Sequence, residues 1–355
     1  MAVEPTIEVI EESVTTQTRT PGMASSIAVI GAFDSKVSDI TVVSDDTSAH
    51  GIFGTTKTLN QFKGTDVIDL LFLGASELLV SNITTWTTVE EEETPETTLT
   101  NQKLTDALAK LKNEVFDLLF IAEELTDEAQ TMVTTWLNKE AKAKFCHAQV
   151  IQLQKSTAAA YEASAATIGK QTAYVNSQSI SYNGTLLNLN QSTALMAGLI
   201  AGRMVNDSLT AQLLPGVTGV NPEYTTETGD IGAKLMELNI PIIKCRNRRL
   251  NQYICVNSML PNGLDMSINR TRDYVFNTLE AELLLGKASS DLTLEGAQMI
   301  VENVRKECVE DLKLLKEIEY TIKKADSKTA EIILRKLIFD DIITKVKVKY
   351  SIEVQ

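Results

Sequence analysis

The chain has 355 residues, 43% hydrophobic and 23% charged, enough for a substantial core and for two or three domains. Its 33 basic and 47 acidic residues give a net charge of −14, which argues against a general nucleic-acid binder that must neutralise phosphates. The four cysteines, Cys146, Cys245, Cys255 and Cys308, lie far apart with no C-x-x-C pair, so buried reduced thiols are expected rather than disulfides or a zinc site.

The first residues, "MAVEPTIEVIEESV", show neither the basic nor the apolar region of a signal peptide. Residues 1–20 are Glu- and Thr-rich, with a short strand-like piece from Thr6 to Ile10 and the acids Glu4, Glu8, Glu11 and Glu12. Such a segment has too little apolar surface to fold alone and is expected as a tail or as an arm that docks elsewhere.

"SSIAVIGAF" (25–33) predicts an apolar strand ending at a glycine, "TLNQFKGTDVIDLLFLG" a helix stopping near Gly74, and "ELLVSNITTW" (77–86) a strand. "VIDLLFLGASELLV" carries Asp69 and Glu77 and is too short to span a bilayer, so synthesis and retention in a cytoplasm are expected. "VEEEETPETT" is expected as a solvated loop, because consecutive glutamates cannot converge on one metal ion.

From about 99 to 181 helical and strand patterns alternate. Leu104, Leu108 and Leu111 have helical spacing, and "VFDLLFIAEE" is the continuous apolar run of a strand buried on both faces. "LTDEAQTMVTTWLNKEAKAK" predicts an amphipathic helix capped by Thr126, with acids in its first turn and lysines in its last. "FCHAQVIQL" predicts a strand, "STAAAYEASAATIGKQ" a helix and "AYVNSQSISY" a strand. This alternation predicts a parallel, doubly wound sheet.

"STALMAGLIAGRMV" (192–205) predicts a small-residue helix able to pack closely, followed by a turn-rich loop, "LPGVTGVNPEYTTETGD", and a short helix, "GAKLMEL". "IPIIKCRNRRLNQYICVNS" predicts a hairpin around Asn247 and Arg248. Helices are expected over 266–287 and 294–317, the second with an apolar core stripe of Ala297, Val301, Val304, Cys308, Leu312 and Leu315. The remainder predicts strand, turn and a final strand, "KVKVKYSIEVQ", with Val346, Val348, Tyr350, Ile352 and Val354 on one face.

The motifs of chemistry are missing. There is no G-x-G-x-x-G, no P-loop around Gly169-Lys170 or Gly286-Lys287, and no G-x-S-x-G elbow. His50 and His147, the two histidines, fall in different elements without H-E-x-x-H spacing. No catalytic, cofactor-binding or metal-ligating residue is assigned. The cluster Lys244, Arg246, Arg248 and Arg249 stands out in so acidic a chain, either as a solvated hairpin edge or as a contact for an acidic partner.

Three stretches carry a resemblance to contractile-tail sheath proteins of contractile-tailed phages and phage-tail-like bacteriocins. "GMASSIAVIGAFDSK" resembles the first sheet strand of sheaths. "STALMAGLIAGRMVNDSLTAQLLPGVTGVNPEYTTETGDIGAKLMELNIPII" resembles the segment leading into their C-terminal domain. "SINRTRDYVFNTLEAELLLGKASSDLTLEGAQMIVENV" resembles the paired helices of that domain. The likeness spreads over most of residues 20–355, and the compact length resembles sheaths of smaller phages and of R-type bacteriocin particles such as diffocins.

The resemblance implies a mixed α/β and α+β chain: an exchange arm at 1–20, an outer α/β unit at 21–240, a tube-facing α+β unit at 241–341 and an exchange strand at 342–355. It implies a subunit that stacks on its own copies around an inner tube, meets baseplate and tail-terminator proteins, and contracts from a metastable extended state without ATP. It implies no cofactor, no nucleic-acid partner and no membrane insertion, with production in a bacterial cytoplasm before incorporation in a released particle. The inter-subunit arms are Thr6, Ile7, Glu8, Val9, Ile10, Glu11 and Glu12, and Lys345, Val346, Lys347, Val348, Lys349, Tyr350, Ile352 and Val354. Their opposite charges are expected on adjacent strands from different subunits, added to one sheet. Lys323, Lys324, Lys328, Arg335 and Lys336 are the first choice for the tube-facing surface, and Lys244, Arg246, Arg248 and Arg249 the second. The competing expectations are a cytoplasmic α/β enzyme with an unrecognised pocket and another arm-exchanging filament or capsid protein.

Overall fold

The computed structural model describes residues 26–55, 61–89, 92–139, 148–168, 173–227, 229–261, 263–289, 293–324 and 330–339. Cys146, His147, Lys328, both predicted arms and the final strand lie outside them.

The chain opens with β1 (Ser26–Gly31), the edge strand β2 (Thr41–Val43) and α1 (Asp46–Phe53). The predicted helix ending near Gly74 is only a 3₁₀ turn, Thr65–Val67, and one α-helical turn, α2 (Ile68–Leu71). Gly64 explains the shortening. It packs against the Phe33 ring, and its amide donates to the Ala32 carbonyl (2.8 Å), so this backbone serves the neighbouring loop instead of a helix.

The strand predicted over 77–86 divides into β3 (Glu77–Asn82) and β4 (Thr85–Val89), which belong to different sheets. The acidic "loop" is a correction: β5 (Glu92–Glu96) pairs antiparallel with β4 to make a two-stranded ribbon. Next come α3 (Asn101–Leu111), β6 (Leu118–Ile121), α4 (Asp127–Lys139), β7 (Ala148–Gln152), α5 (Ala158–Thr167) and β8 (Ala173–Asn176). Hydroxyl caps start the helices where the sequence places them: Thr100 accepts from Lys103 N, Thr126 from Ala129 N and Thr157 from Ala160 N.

"AYVNSQSISY" also divides, into β8 and β9 (Ser179–Tyr182), because Asn176 turns the chain by donating to the Gln178 carbonyl (2.9 Å). β10 (Thr185–Leu186) and α6 (Leu189–Ala201) follow, α6 opened by a reciprocal Asn188–Gln191 capping box. The predicted Pro-Gly loop contains a further strand, β11 (Val217–Asn221), which pairs with β9. Then come α7 (Ile231–Glu237) and the hairpin β12 (Ile243–Asn247) and β13 (Gln252–Cys255). α8 (Met266–Ser289) and α9 (Leu294–Lys306) precede the hairpin β14 (Glu317–Lys324) and β15 (Ala330–Ile338).

The helix predicted over 294–317 stops early. A π turn at Glu307–Asp311 widens its last turn, Leu312 N donates to Glu307 O (2.8 Å), and Lys313 takes φ +51°. Its stripe is core as expected, with Ala297, Val301, Val304, Cys308 and Leu315 all buried.

The principal sheet has the order β2-β3-β1-β6-β7-β8, parallel except for β2. Its parallel strands thus follow the 2-1-3-4-5 order of flavodoxin-like doubly wound folds. Alternate residues face two cores. Ile27, Val29, Leu118 and Phe120 join α1, α2 and α6 on one side, while Ala28, Ile30, Leu119 and Ile121 join α3 and α4 on the other. Farther along the sheet, Ile151 and Val175 meet Tyr161 of α5 and Leu235 of α7.

Another core forms among Val275 and Leu279 of α8, Val301 and Val304 of α9, and Leu314, Leu315 and Ile318 before and within β14. Between Met266, which belongs to the sheet core, and Val275 the first turns of α8 are buried yet polar. Arg270 donates from Nη2 to the Arg203 carbonyl (2.9 Å), while its Nε and Nη1 and both amide atoms of Asn269 have no hydrogen-bond partner among the described residues. Burial lowers the Arg270 pKa to about 10. Burial likewise raises Asp273 to about 7, against the opposing pull of Arg272 at 2.9 Å.

Candidate functional site

In a doubly wound sheet, ligands bind beyond the carboxyl ends of the strands where the strand order reverses, here between β1 and β6. In this chain that crevice is built over by its own backbone. A Cβ on Gly31 would lie 2.8 Å from Ala122 Cβ and 3.2 Å from Gly64 Cα. Asn82 accepts from Phe33 N (3.1 Å) and donates to the carbonyls of Ser35 (2.9 Å) and Val37 (3.0 Å), fixing the loop after β1. Thr84 Oγ1 donates to the Phe33 carbonyl (2.8 Å). The cavity beside it is about 270 Å³, and two residues lining it, Lys63 and Glu123, are paired with each other. That volume is below the usual range of small-molecule sites.

His50 occupies a structural post. Nδ1 meets the Gly54 carbonyl (2.9 Å) and Nε2 meets Asp69 (2.5 Å), tying the end of α1 to α2. Cys245, Cys255 and Cys308 are free thiols; burial pushes Cys255 and Cys308 up to about 12, so both are inert neutral groups. Among the described residues no cluster of His, Cys, Asp or Glu could hold a metal ion, and no helix is long and apolar enough to cross a membrane.

The two sets of basic residues singled out from the sequence lie on two hairpins. On β15, Arg335 and Lys336 are exposed; Arg335 Nε donates to Thr321 Oγ1 (3.2 Å) and Lys336 pairs with Glu319 (3.4 Å). On β14, Lys323 stands opposite Glu331 and Lys324 opposite Ala330 in the strand register. Lys336 is thus the basic residue of this hairpin with an ion-pair partner among the described side chains.

The β12–β13 hairpin differs. Its base is clamped: the Gln178 side chain accepts from Ile243 N (2.6 Å) and donates to Ile243 O (3.1 Å) and Pro222 O (2.8 Å), and Cys255 is fully buried. Its tip is ordered by Asn247, whose Oδ1 accepts from Arg249 N (3.0 Å) and Leu250 N (3.3 Å), and by Asn251 in the left-handed conformation (φ +48°). Arg248 is held by both Glu223 oxygens, at 3.0 and 2.8 Å. Lys244, Arg246 and the Arg249 side chain have no ion pair among the described residues, and Leu250 is 64% exposed. Among the described residues no hydrogen bond or ion pair joins the two hairpins. The acidic β4–β5 ribbon, read from sequence as a loop, has one visible cue: Trp86, whose Nε1 donates to Ser35 O (2.9 Å) and whose ring stacks on Phe62 at 6.2 Å.

Comparison with known proteins agrees with this architecture. Residues 97–244 match the family model of the phage tail sheath protein central domain. No curated protein matches the sequence. The fold is similar to the sheath tail protein Lin1278 from Listeria innocua, with a TM-score of 0.60 at 11% identity over 90% of this chain and 96% of that one. It is also similar to a chain of the anti-feeding prophage baseplate, with a TM-score of 0.64 at 14% identity over 100% of both chains. A chain of the contracted helical sheath of the same particle gives 0.60 at 12% identity over 99% of each. Residues 97–244 thus match the phage tail sheath central domain, within a chain whose fold is similar to that of tail sheath proteins.

Proposed function

We propose that the chain is the structural subunit of a contractile tail sheath, which polymerises around an inner tube and drives it through a cell envelope by passing from an extended to a contracted state. The match of residues 97–244 to the sheath central domain carries this reading, and the sheath fold along the whole chain supports it. The overbuilt crevice between β1 and β6 supports a structural rather than an enzymatic role. The related structures include a baseplate and a helical sheath, so self-assembly and a baseplate partner extend to this chain as part of the same proposal. So do the inner tube, the tail terminator and residence in a released tail-like particle.

Residues 21–240 would form the outer unit and 241–341 the tube-facing unit, with the β12–β13 hairpin as the seam, since Ile243 and Cys255 still pack in the sheet core. The β14–β15 hairpin, with Lys323, Lys324, Lys328, Arg335 and Lys336, would face an acidic tube surface. The acidic arm at 1–20 and the strand at 342–355 would add to a neighbour's sheet, where backbone pairing persists while subunits turn as rigid bodies. Deleting residues 346–355 tests this joint: a soluble, folded monomer unable to polymerise is expected, and normal tubes from the truncated chain under the electron microscope would refute it.

A further inference from the structure

The β12–β13 tip is a basic knob in which, among the described residues, only Arg248 has an ion-pair partner, Glu223. In a protein of net charge −14, Lys244, Arg246 and Arg249 lie on one hairpin without ion pairs among the described residues, and Arg249 adjoins the exposed Leu250 at the tip. The clamp at Gln178, the Asn247 side chain and the Arg248–Glu223 pair hold this surface in place before any partner arrives. A preorganised surface loses little conformational freedom on docking, and arginine is among the residues enriched in interface hot spots.

We propose that this tip docks on the acidic β4–β5 ribbon of a second copy of the chain, an inference that rests on the self-assembling reading above. The ribbon is equally fixed: its strands pair from Thr85–Glu96 to Val89–Glu92, and Trp86 anchors its base to the Ser35 carbonyl. Glu93 and Glu96 are exposed, and their links to Lys36 (2.6 Å) and Lys103 (3.5 Å) are surface ion pairs of the weak kind that can be exchanged. Within one chain no hydrogen bond or ion pair joins tip and ribbon among the described residues. Because they are two different surfaces, their contact is head-to-tail, the type that generates rings or open helices instead of closed dimers. The tip thereby contributes to the contact between sheath copies, leaving the β14–β15 hairpin for the tube.

A charge-swap experiment on the full chain tests the pairing. Arg246→Glu with Arg249→Glu reverses the tip, and Glu93→Lys with Glu96→Lys reverses the ribbon; Arg248 is left intact because it holds Glu223. Thermal melting checks that each variant folds, and light scattering with negative-stain microscopy reads assembly. Each reversed variant alone should assemble on the order of tenfold less than wild type, since like charges face each other. An equimolar mixture of the two, and one chain carrying all four changes, should regain assembly. A folded tip variant that assembles like wild type, or a four-change chain that regains nothing, overturns the pairing while the sheath reading stands. A wild-type chain that never assembles overturns both.

Discussion

Gly74 and Gly198 bring the end of α2 against α6 so closely that neither tolerates a side chain. A Cβ on Gly74 would lie 2.1 Å from the Gly198 carbonyl oxygen, and one on Gly198 would lie 2.2 Å from the Leu70 carbonyl oxygen. In an ordinary helix interior Gly→Ala gains about 1 kcal/mol. Here the collision with backbone reverses the sign, and Gly198→Ala should destabilise by about 1–3 kcal/mol in urea unfolding. A variant more stable than wild type would contradict the packing described for α6.

Asp265 holds the start of α8. One carboxylate oxygen accepts from Ser208, Thr210 and Ser258 hydroxyls at 2.7, 3.1 and 2.6 Å, and the other from Ser267 N (3.0 Å) and Oγ (2.8 Å). Asp265→Ala strands these buried donors, so a loss on the order of 3 kcal/mol is expected. Asp265→Asn, which keeps the shape and one acceptor, should lose less; a loss equal to that of alanine would show that one retained acceptor is not enough.

His50 links stability to pH. Burial works against its charge, but the Gly54 carbonyl and the Asp69 carboxylate outweigh it, and its pKa is raised above the ordinary 6.5. Its contribution is therefore fully present below pH 6.5 and lost as pH rises through the elevated value. His50→Gln should remove that fall from a stability-versus-pH profile, and an unchanged slope would contradict the assignment.

Asp273 contributes a slope of the same sign from the opposite chemistry. Burial lifts its pKa from 3.8 to about 7, so across that window the native state binds more protons than the unfolded chain. Stability attributable to Asp273 falls as pH rises from 3.8 towards 7. Asp273→Asn should flatten this part of the profile; an undiminished slope would place the titration elsewhere.

Apolar periodicity exposed the scaffold well. Leu104, Leu108 and Leu111 mark α3, the run from Leu118 to Ile121 marks a strand buried on both faces, and the hairpin turns at Asn247–Arg248 as expected. The errors share a physical origin: side chains or backbone distant in sequence overrode local preference. Glu92, Glu93 and Pro95 have poor strand propensity, yet they pair in a ribbon that Trp86 anchors and in which Glu93 stays exposed. Residues 217–221, flanked by Pro215-Gly216 and Pro222, pair with β9 through a bulge between Val217 and Gly219. Leu312 and Leu315 prolong the apolar stripe of α9 beyond the π turn that ends the helix, because core packing demands the same residues in either geometry. The basic hairpins were legible as composition, but only the fold shows which bases are paired, Lys336 with Glu319 on β15 and Arg248 with Glu223 on the β12–β13 tip.

Negative-stain electron microscopy of the purified wild-type chain over a range of concentrations reads self-assembly into a sheath without any variant. Hollow tubes or stacked rings are expected; discrete globular particles at every concentration would refute the sheath reading.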